Sequence, residues 1–283
     1  MTIASQETQA SPTSSVVIRP SSGLIPINFK DVWAYRELLY FLTWRDIKIR
    51  YKQTVLGFAW AILQPFLMMV VFTLFFGNLL NVPSEGVPYP LFNYAAMLPW
   101  TLFAQGITRS SESLVANVNM VKKVYFPRLV MPLSGVLAPV VDFAIAFVIL
   151  IGMMFYFGYP PTMRILWLPA FVILALMTAL GVGLWLSAIN VQYRDVRYVV
   201  PFLVQLWLFA SPVVYSSSLL PARFQAIYGL NPMAGVIEGF RWALLGTEPP
   251  GSLIAVSVII VIVILTSGAF YFRRSEKTFA DVV

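Results

Sequence analysis

Few residues of this sequence can do chemistry, and they are unevenly placed. The 283 residues hold 19 lysines and arginines and 12 aspartates and glutamates, with no histidine and no cysteine. Disulfides, thiolate nucleophiles and the usual nitrogen and sulfur metal ligands are therefore excluded, leaving only carboxylates. No serine has a histidine base, and no two carboxylates sit at short spacing within one apolar run. No Gly-Lys dipeptide exists from which a phosphate-cradling Walker loop could be built. Enzymatic turnover has almost no material to work with.

Four concentrations of polar chemistry remain. Arg45, Asp46, Lys48, Arg50 and Lys52 crowd into eight positions and are followed at once by a long uncharged run. Asp142 stands inside another apolar run, where a charge costs at least about 2.5–3.5 kcal/mol at a helix centre. It could be a proton site of a secondary transporter, hydrogen-bond neighbouring helices or face an aqueous cavity. With no basic partner inside any apolar run it makes a poor proton relay. The short stretch "NMVKKVYFPR" sets Tyr125 and Phe126 among Lys122, Lys123 and Arg128. Aromatic anchors with a cationic rim suit docking on another protein, and tyrosine also suits a lipid interface. Glu238 and Arg241 lie three apart and can pair on one helix.

The elements that must position these groups are set by composition. The chain is 59% hydrophobic and 11% charged, with mean hydropathy +0.79, against about 25% charged in soluble domains. So few charges cannot cover a water-facing surface, and most of the surface must face lipid. Six runs are long and apolar enough to cross a core of about 30 Å as helices: about 55–80, 91–107, 129–157, 165–189, 199–215 and 253–272. Barrel strands would alternate with polar residues, and these runs are continuous. The expected fold is an all-α integral membrane protein.

With the N-terminus in the cytoplasm, sixteen of the nineteen lysines and arginines fall inside, leaving only Arg164, Arg223 and Arg241 outside. The positive-inside bias thus places both termini in the cytoplasm. Residues 1–30 are rich in serine, threonine and proline and read as a disordered, non-translocated tail.

Tyr40, Trp44, Ile47, Tyr51 and Val55 recur at helical steps beside a cationic stripe of Arg45, Lys48 and Lys52. This predicts an amphipathic helix over 31–52 lying in the headgroup layer. The outer connection 216–251 carries two short helix signatures. The first runs from near Pro221 to Gly229. The second has Asn231 as cap, Pro232 at the first helical position and Gly246 as stop. At about 14 residues the second reaches about 21 Å, too short to cross, so the pair is either re-entrant or an external cap.

Ala175, Ala179, Gly183 and Ser187, at four-residue steps, predict a close helix-packing seam within or between subunits. Phe58, Phe66, Phe72 and Phe76 fall within about a third of the first span's circumference at 100° per residue, whereas Trp60 lies on another face. That row is a lipid- or helix-facing surface, or a sliding surface for the apolar faces of sugar rings.

The opening residues also carry a likeness. Arg45-Asp46-x-Lys48-x-Arg50-Tyr51-Lys52, then Leu56-Gly57, Trp60 and Gln64-Pro65, resembles the start of the membrane subunit of ABC transporters that export polysaccharides such as O-antigen, capsule and teichoic acid. The resemblance continues through "KKVYFPR", "YRDVRYVVPFLVQLWLFASPVVY" and "LNPMAGVIEGFR", and covers nearly the whole chain after about residue 25. It implies a homodimer in the bacterial inner membrane, paired with two copies of a separate cytoplasmic ATPase that binds ATP and Mg. It implies no cofactor in this chain and no nucleic-acid partner.

On the same likeness, Trp44, Arg45, Lys48, Arg50, Tyr51 and Lys52 would form the cytoplasmic gate, and 119–128 would be the coupling segment received by the ATPase. The outer pair with Tyr215, Glu238 and Arg241 would be the extracellular gate. The substrate would be a polysaccharide on a polyprenyl pyrophosphate lipid, whose charge Arg45, Lys48, Arg50 and Lys52 could attract. The polar tail is a departure from the family pattern. The residues alone leave other functions open: an exporter of a small molecule, proton-coupled transport through Asp142, or a membrane anchor for an ATPase.

Overall fold

A computed structural model describes residues 29–52, 57–219, 221, 228–251 and 253–279. The predicted tail, apart from Phe29 and Lys30, lies outside the described residues. So do Val55, the side chain of Phe58 and most of the first outer helix signature. Every regular element among the described residues is helical.

The predicted interface helix is two pieces, α1 (Phe29–Ala34) and α2 (Arg36–Lys52), broken at Tyr35. The first apolar run forms α3 (Gly57–Phe72), which widens into a π-helical stretch at Thr73–Leu79. Then come α4 (Tyr89–Ala116), α5 (Val118–Lys123), α6 (Val130–Leu137) and α7 (Pro139–Tyr156). After a single 3-10 turn, Met163–Trp167, follow α8 (Leu168–Gln192), α9 (Val196–Phe209), α10 (Pro232–Leu245) and α11 (Leu253–Ser275).

Four helical stretches are long and apolar enough to cross a membrane: Ala59–Leu79, Val130–Tyr156, Met163–Gln192 and Ile254–Ser275. They match the first, third, fourth and sixth predicted spans. The other two depart from expectation.

The second predicted span, 91–107, is the apolar part of a 28-residue helix, α4, that runs on to Ala116. Nineteen of its residues are buried, and α3, α6, α7, α8, α9 and α10 all pack on it. Its polar end folds as helix because its small hydroxyls bond inward. Thr108 donates to the Ala104 carbonyl (2.9 Å), Ser111 to Thr108 (2.8 Å) and Ser113 to Ser110 (2.7 Å). Hydropathy ends at this boundary, but helical structure does not.

The fifth predicted span, 199–215, is corrected more strongly. Helix α9 stops at Phe209 after 14 residues, about 21 Å. Pro212 lacks an N–H to continue the helix and disfavours a helical residue before it, and the chain turns through 210–216. The third predicted span is likewise two helices meeting at Ala138, with Pro139 opening α7.

The small-residue seam lies within the chain. Ala175, Ala179, Gly183 and Ser187 are fully buried or nearly so against α4. A Cβ at Gly183 would collide with the Ser110 side chain, and one at Gly106 would press on Ala179 Cβ at 3.1 Å.

Two apolar clusters organise the bundle. The larger joins α3, α4, α7, α8 and α10 around Phe92, Tyr94, Phe103 and Phe240. The smaller sits at the predicted cytoplasmic end and gathers Leu42, Val121, Phe126, Val130, Met131, Phe272 and Phe279.

Candidate functional site

At the predicted cytoplasmic end, the last turn of α2 does not stay at the surface. Arg50 forms an ion pair with Asp142 Oδ2, and Tyr51 donates its phenol hydrogen to Asp142 Oδ1. Arg50 also donates to Gln105 Oε1 on α4 at 3.0 Å. Asp142 is only 7% exposed, and lies 12 residues beyond Val130, a helical rise of about 18 Å. Arg109 faces the same charges from α4, near Arg50 and Asp142.

No basic residue inside an apolar run is expected to pair with Asp142, and the residue that does pair with it is Arg50 of α2. This partner comes from outside the apolar runs, 92 positions earlier in the chain, because α2 packs along α6 and delivers Arg50 inward. A carboxylate placed there is tolerable once paired and hydrogen-bonded. Burial, reinforced by the hydrogen bond to Asp142, pushes the Tyr51 phenol up from its ordinary value, so it remains a donor.

The remaining cations of this stretch have different surroundings. Arg45 pairs with Asp46 at 2.8 Å. Lys48 is exposed and lies over the Trp44 ring, 5.7 Å from its centroid. Lys52 is exposed. Trp33, Tyr40, Phe41 and Trp44 are exposed, and only Leu42 of α2 is buried. The aromatic stripe thus divides: Tyr40 and Trp44 point outward while Tyr51 turns to Asp142.

The 122–128 segment divides as well. Lys122, Lys123, Val124 and Tyr125 are exposed, Tyr125 by 74%. Phe126, expected beside Tyr125 as a docking aromatic, is buried in the smaller cluster. Pro127 is half-buried. Arg128 donates to the Glu276 backbone carbonyl and lies over the Phe279 ring.

The phenylalanine row does not stay on one face. Phe72 is buried in the larger cluster and meets Phe76 edge-on at 5.7 Å. Phe66 is exposed and lines an apolar groove with Met69, Leu74, Met153 and Tyr156. Phe66 and Phe72 stand about 120° apart at 100° per residue, the two edges of the row, and only the Phe72 edge turns into the bundle.

The opposite end, the predicted outer one, is built on backbone. Past α9 the chain leaves a series of carbonyls without helical partners, and side chains from other elements reach them. Arg241 of α10 donates to Phe92 (3.2 Å), Tyr215 (3.1 Å) and Val213 (2.8 Å) carbonyls, with its guanidinium 3.5 Å from the Phe92 ring centroid. Tyr89 donates to Val214 at 2.7 Å, Asn231 to Ala210 at 3.0 Å and Tyr215 to Phe209 at 3.1 Å. Ser216 donates to the Glu85 carboxylate, and Glu85 itself has a left-handed backbone, φ 56°.

The expected Glu238–Arg241 ion pair does not form, because all three Arg241 bonds go to carbonyls. Glu238 instead faces Ser217. The predicted stop and cap of α10 are present: Asn231 accepts from Met233 N at 3.1 Å, and Gly246 adopts φ 73°. Twelve of the 14 residues of α10 are buried, so it is a wedge within the bundle, not a cap lying on it. Such irregular backbone at depth requires that its polar groups be satisfied by protein.

Sequence reasoning missed Gln105, Arg109, Tyr89, Phe92, Glu276 and Phe279. For Phe279 a signal existed: it follows Phe272 by seven positions, the spacing of one helical face. The others bond across the bundle and leave no local pattern.

Comparison with known proteins adds an independent line. The family model described as ABC-2 type transporter matches residues 37–245. An O-antigen export system permease protein of Myxococcus xanthus is 30% identical over 90% of this chain and 98% of its own length. One from Klebsiella pneumoniae is 29% identical over 87% of this chain and 95% of its own. A polysialic acid transport protein of Escherichia coli is 22% identical over 82% of this chain and 91% of its own.

Proposed function

The chain belongs to the ABC-2 type transporter family of membrane permeases, and from that premise we propose that it is the conduit-forming subunit of an ATP-driven exporter of lipid-linked polysaccharide, O-antigen above all. The observation that carries this reading is the near end-to-end likeness to O-antigen export permeases.

The chemistry of the task fits. Moving one unpartnered hydroxyl from water into a wholly apolar medium costs about 4–8 kcal/mol, so a glycan needs a wet, enclosed path and a source of work. Gln64 on α3 and Gln205 on α9 are exposed on helices otherwise apolar on that side, as suits a surface facing a hydrated path. Tyr198, Phe202, Leu206 and Phe209 form an exposed stripe at helical steps on α9, of which only Val200 and Leu208 are buried. This stripe faces the path and a second copy of the chain.

Work comes from outside. ATP and Mg bind a separate ATPase, present in two copies, which docks on the exposed Lys122–Tyr125 edge. The chain crosses six times with both termini inside. Helix α4 is the shielded central post, and α9 completes its crossing through 210–216. Helices α1 and α2 lie at the inner interface, where Lys48 and Lys52 meet the anionic headgroup of the substrate lipid. The 210–245 region is the outer gate. Pairing of Asp142 with Arg50 makes it a latch between α2 and the bundle and weighs against a proton site.

Deleting the gene should remove surface polysaccharide, with lipid-linked polymer accumulating inside. Restoring this chain should restore export only together with a hydrolysis-competent ATPase. Full export with the ATPase inactivated would refute the reading.

A further inference from the structure

We propose that the turn after α11, Glu276–Phe279, is a brace that holds the 122–128 segment in its docking posture, with Arg128 and Phe279 as positioning residues. The proposal rests on the reading of Lys122–Tyr125 as the ATPase dock.

The segment cannot hold itself. Helix α5 has six residues, well short of the length at which a helix is stable alone, about 12–15 residues. Past it, Val124 is extended and leaves the helix for good. Posture must come from tertiary contacts, and the structure supplies two. On one flank Phe126 is buried at 5% exposure among Val121, Val130 and Phe272. On the other, Arg128 turns away from the exposed edge and donates to the Glu276 carbonyl, its guanidinium 5.9 Å from the Phe279 ring centroid.

The brace is itself fixed. The Glu276 carboxylate is held by Arg273 at 2.7 Å, and its carbonyl accepts from both the Phe279 N–H and Arg128. Phe279 is fully buried and meets Phe272 edge-on at 5.3 Å. The same cluster holds Leu42 of α2. A force applied at the dock is therefore transmitted to α2, and so to the Arg50–Asp142 pair, through one packed unit.

The test uses the full chain in detergent with its ATPase, and a label on the chain alone. Because the sequence has no cysteine, Tyr125→Cys accepts a single spin label. Phe279→Ala, and separately Arg128→Met, should raise the label's mobility in the absence of ATPase. In the unlabelled chain both should weaken ATPase binding about tenfold in Kd, the loss expected of one charge-assisted contact. Phe279→Trp and Arg128→Lys should recover much of each loss. The size-exclusion profile should stay monodisperse for both. Phe279→Ala empties a fully buried site and should lower the melting midpoint, whereas Arg128→Met, at a half-buried side chain, should leave it close to the parent's and so separates a loosened dock from a loosened fold.

A tip variant, Lys122→Glu with Lys123→Glu, serves as the reference for docking. If it abolishes ATPase binding while Phe279→Ala and Arg128→Met bind normally and leave the label immobile, the brace is wrong and the dock stands. If the tip variant also binds normally, the docking reading falls and the brace with it.

Discussion

Each end of the bundle draws an arginine inward, and the partners differ in kind. At the inner end Arg50 meets side chains: a carboxylate on α7, with a neighbouring phenol on the same carboxylate and an amide on α4. At the predicted outer end the hydrogen bonds of Arg241 go to backbone, the three carbonyls of Phe92, Val213 and Tyr215, with the Phe92 ring beneath its guanidinium. The inner contact joins a peripheral helix to the core and can be undone by withdrawing one helix. Carbonyls offer no such exit, since at Val213 and Tyr215 the Arg241 contacts complete the hydrogen bonding of backbone that has no helix to belong to, and at Phe92 they tie that stretch to α4. The lesson is that one residue type serves as a latch where its partners are side chains on separate elements, and as a keystone where they are main chain.

The largest effect should come from the keystone. Arg241→Met strands the carbonyls of Val213 and Tyr215, which have no helix of their own, and removes a third bond to Phe92; each stranded acceptor is worth about 1–3 kcal/mol. The expected loss is at least about 3 kcal/mol, read as a fall in monodisperse yield and in the melting midpoint. Arg241→Lys should recover only part, because an ammonium cannot reproduce the planar fork.

The latch should behave differently. Arg50→Met leaves Asp142 buried beside fewer partners, and because Arg50 is partly exposed the stability cost should be modest, about 1–3 kcal/mol. Export should fall by more than stability explains. Surface polymer measured at matched expression gives the comparison, and a loss of polymer no greater than the loss of folded protein would make Arg50 merely structural.

A sharper form is a double-mutant cycle. Arg50→Met with Asp142→Asn should couple by about 0.5–3 kcal/mol, whereas Arg241→Met with Asp142→Asn should add within about 0.5 kcal/mol. Comparable coupling in both would erase the distinction between the two ends. The smallest effect should be Tyr51→Phe, about 1 kcal/mol for one hydrogen bond, with export largely kept.

The sequence made some of this legible, and the reasons are physical. Where apolarity and helical length coincide, as in Ile254–Ser275, hydropathy alone finds the helix. Asn231, Pro232 and Gly246 were readable because capping is local chemistry. Helix α4 outruns its apolar stretch because its polar half includes Thr108, Ser111 and Ser113, whose hydroxyls bond the helix's own carbonyls. Helix α9 was overestimated because apolarity continues past Phe209 while Pro212 ends the helix. The Arg50–Asp142 pair was out of reach, since no periodicity links positions 92 apart. The Glu238–Arg241 spacing misled for the converse reason: three-residue spacing permits a pair, but nearby unpaired carbonyls compete for the same donors.

The central claim is that this chain provides the passage and a separate ATPase provides the work. The most direct measurement is translocation of lipid-linked O-polysaccharide in proteoliposomes holding the chain with its ATPase. Polymer should become accessible to an external glycosidase only with ATP and a hydrolysis-competent ATPase, and Asp142→Asn should lower the rate without removing the ATP requirement. Translocation by this chain alone, driven by a proton gradient and abolished by Asp142→Asn, would contradict the account.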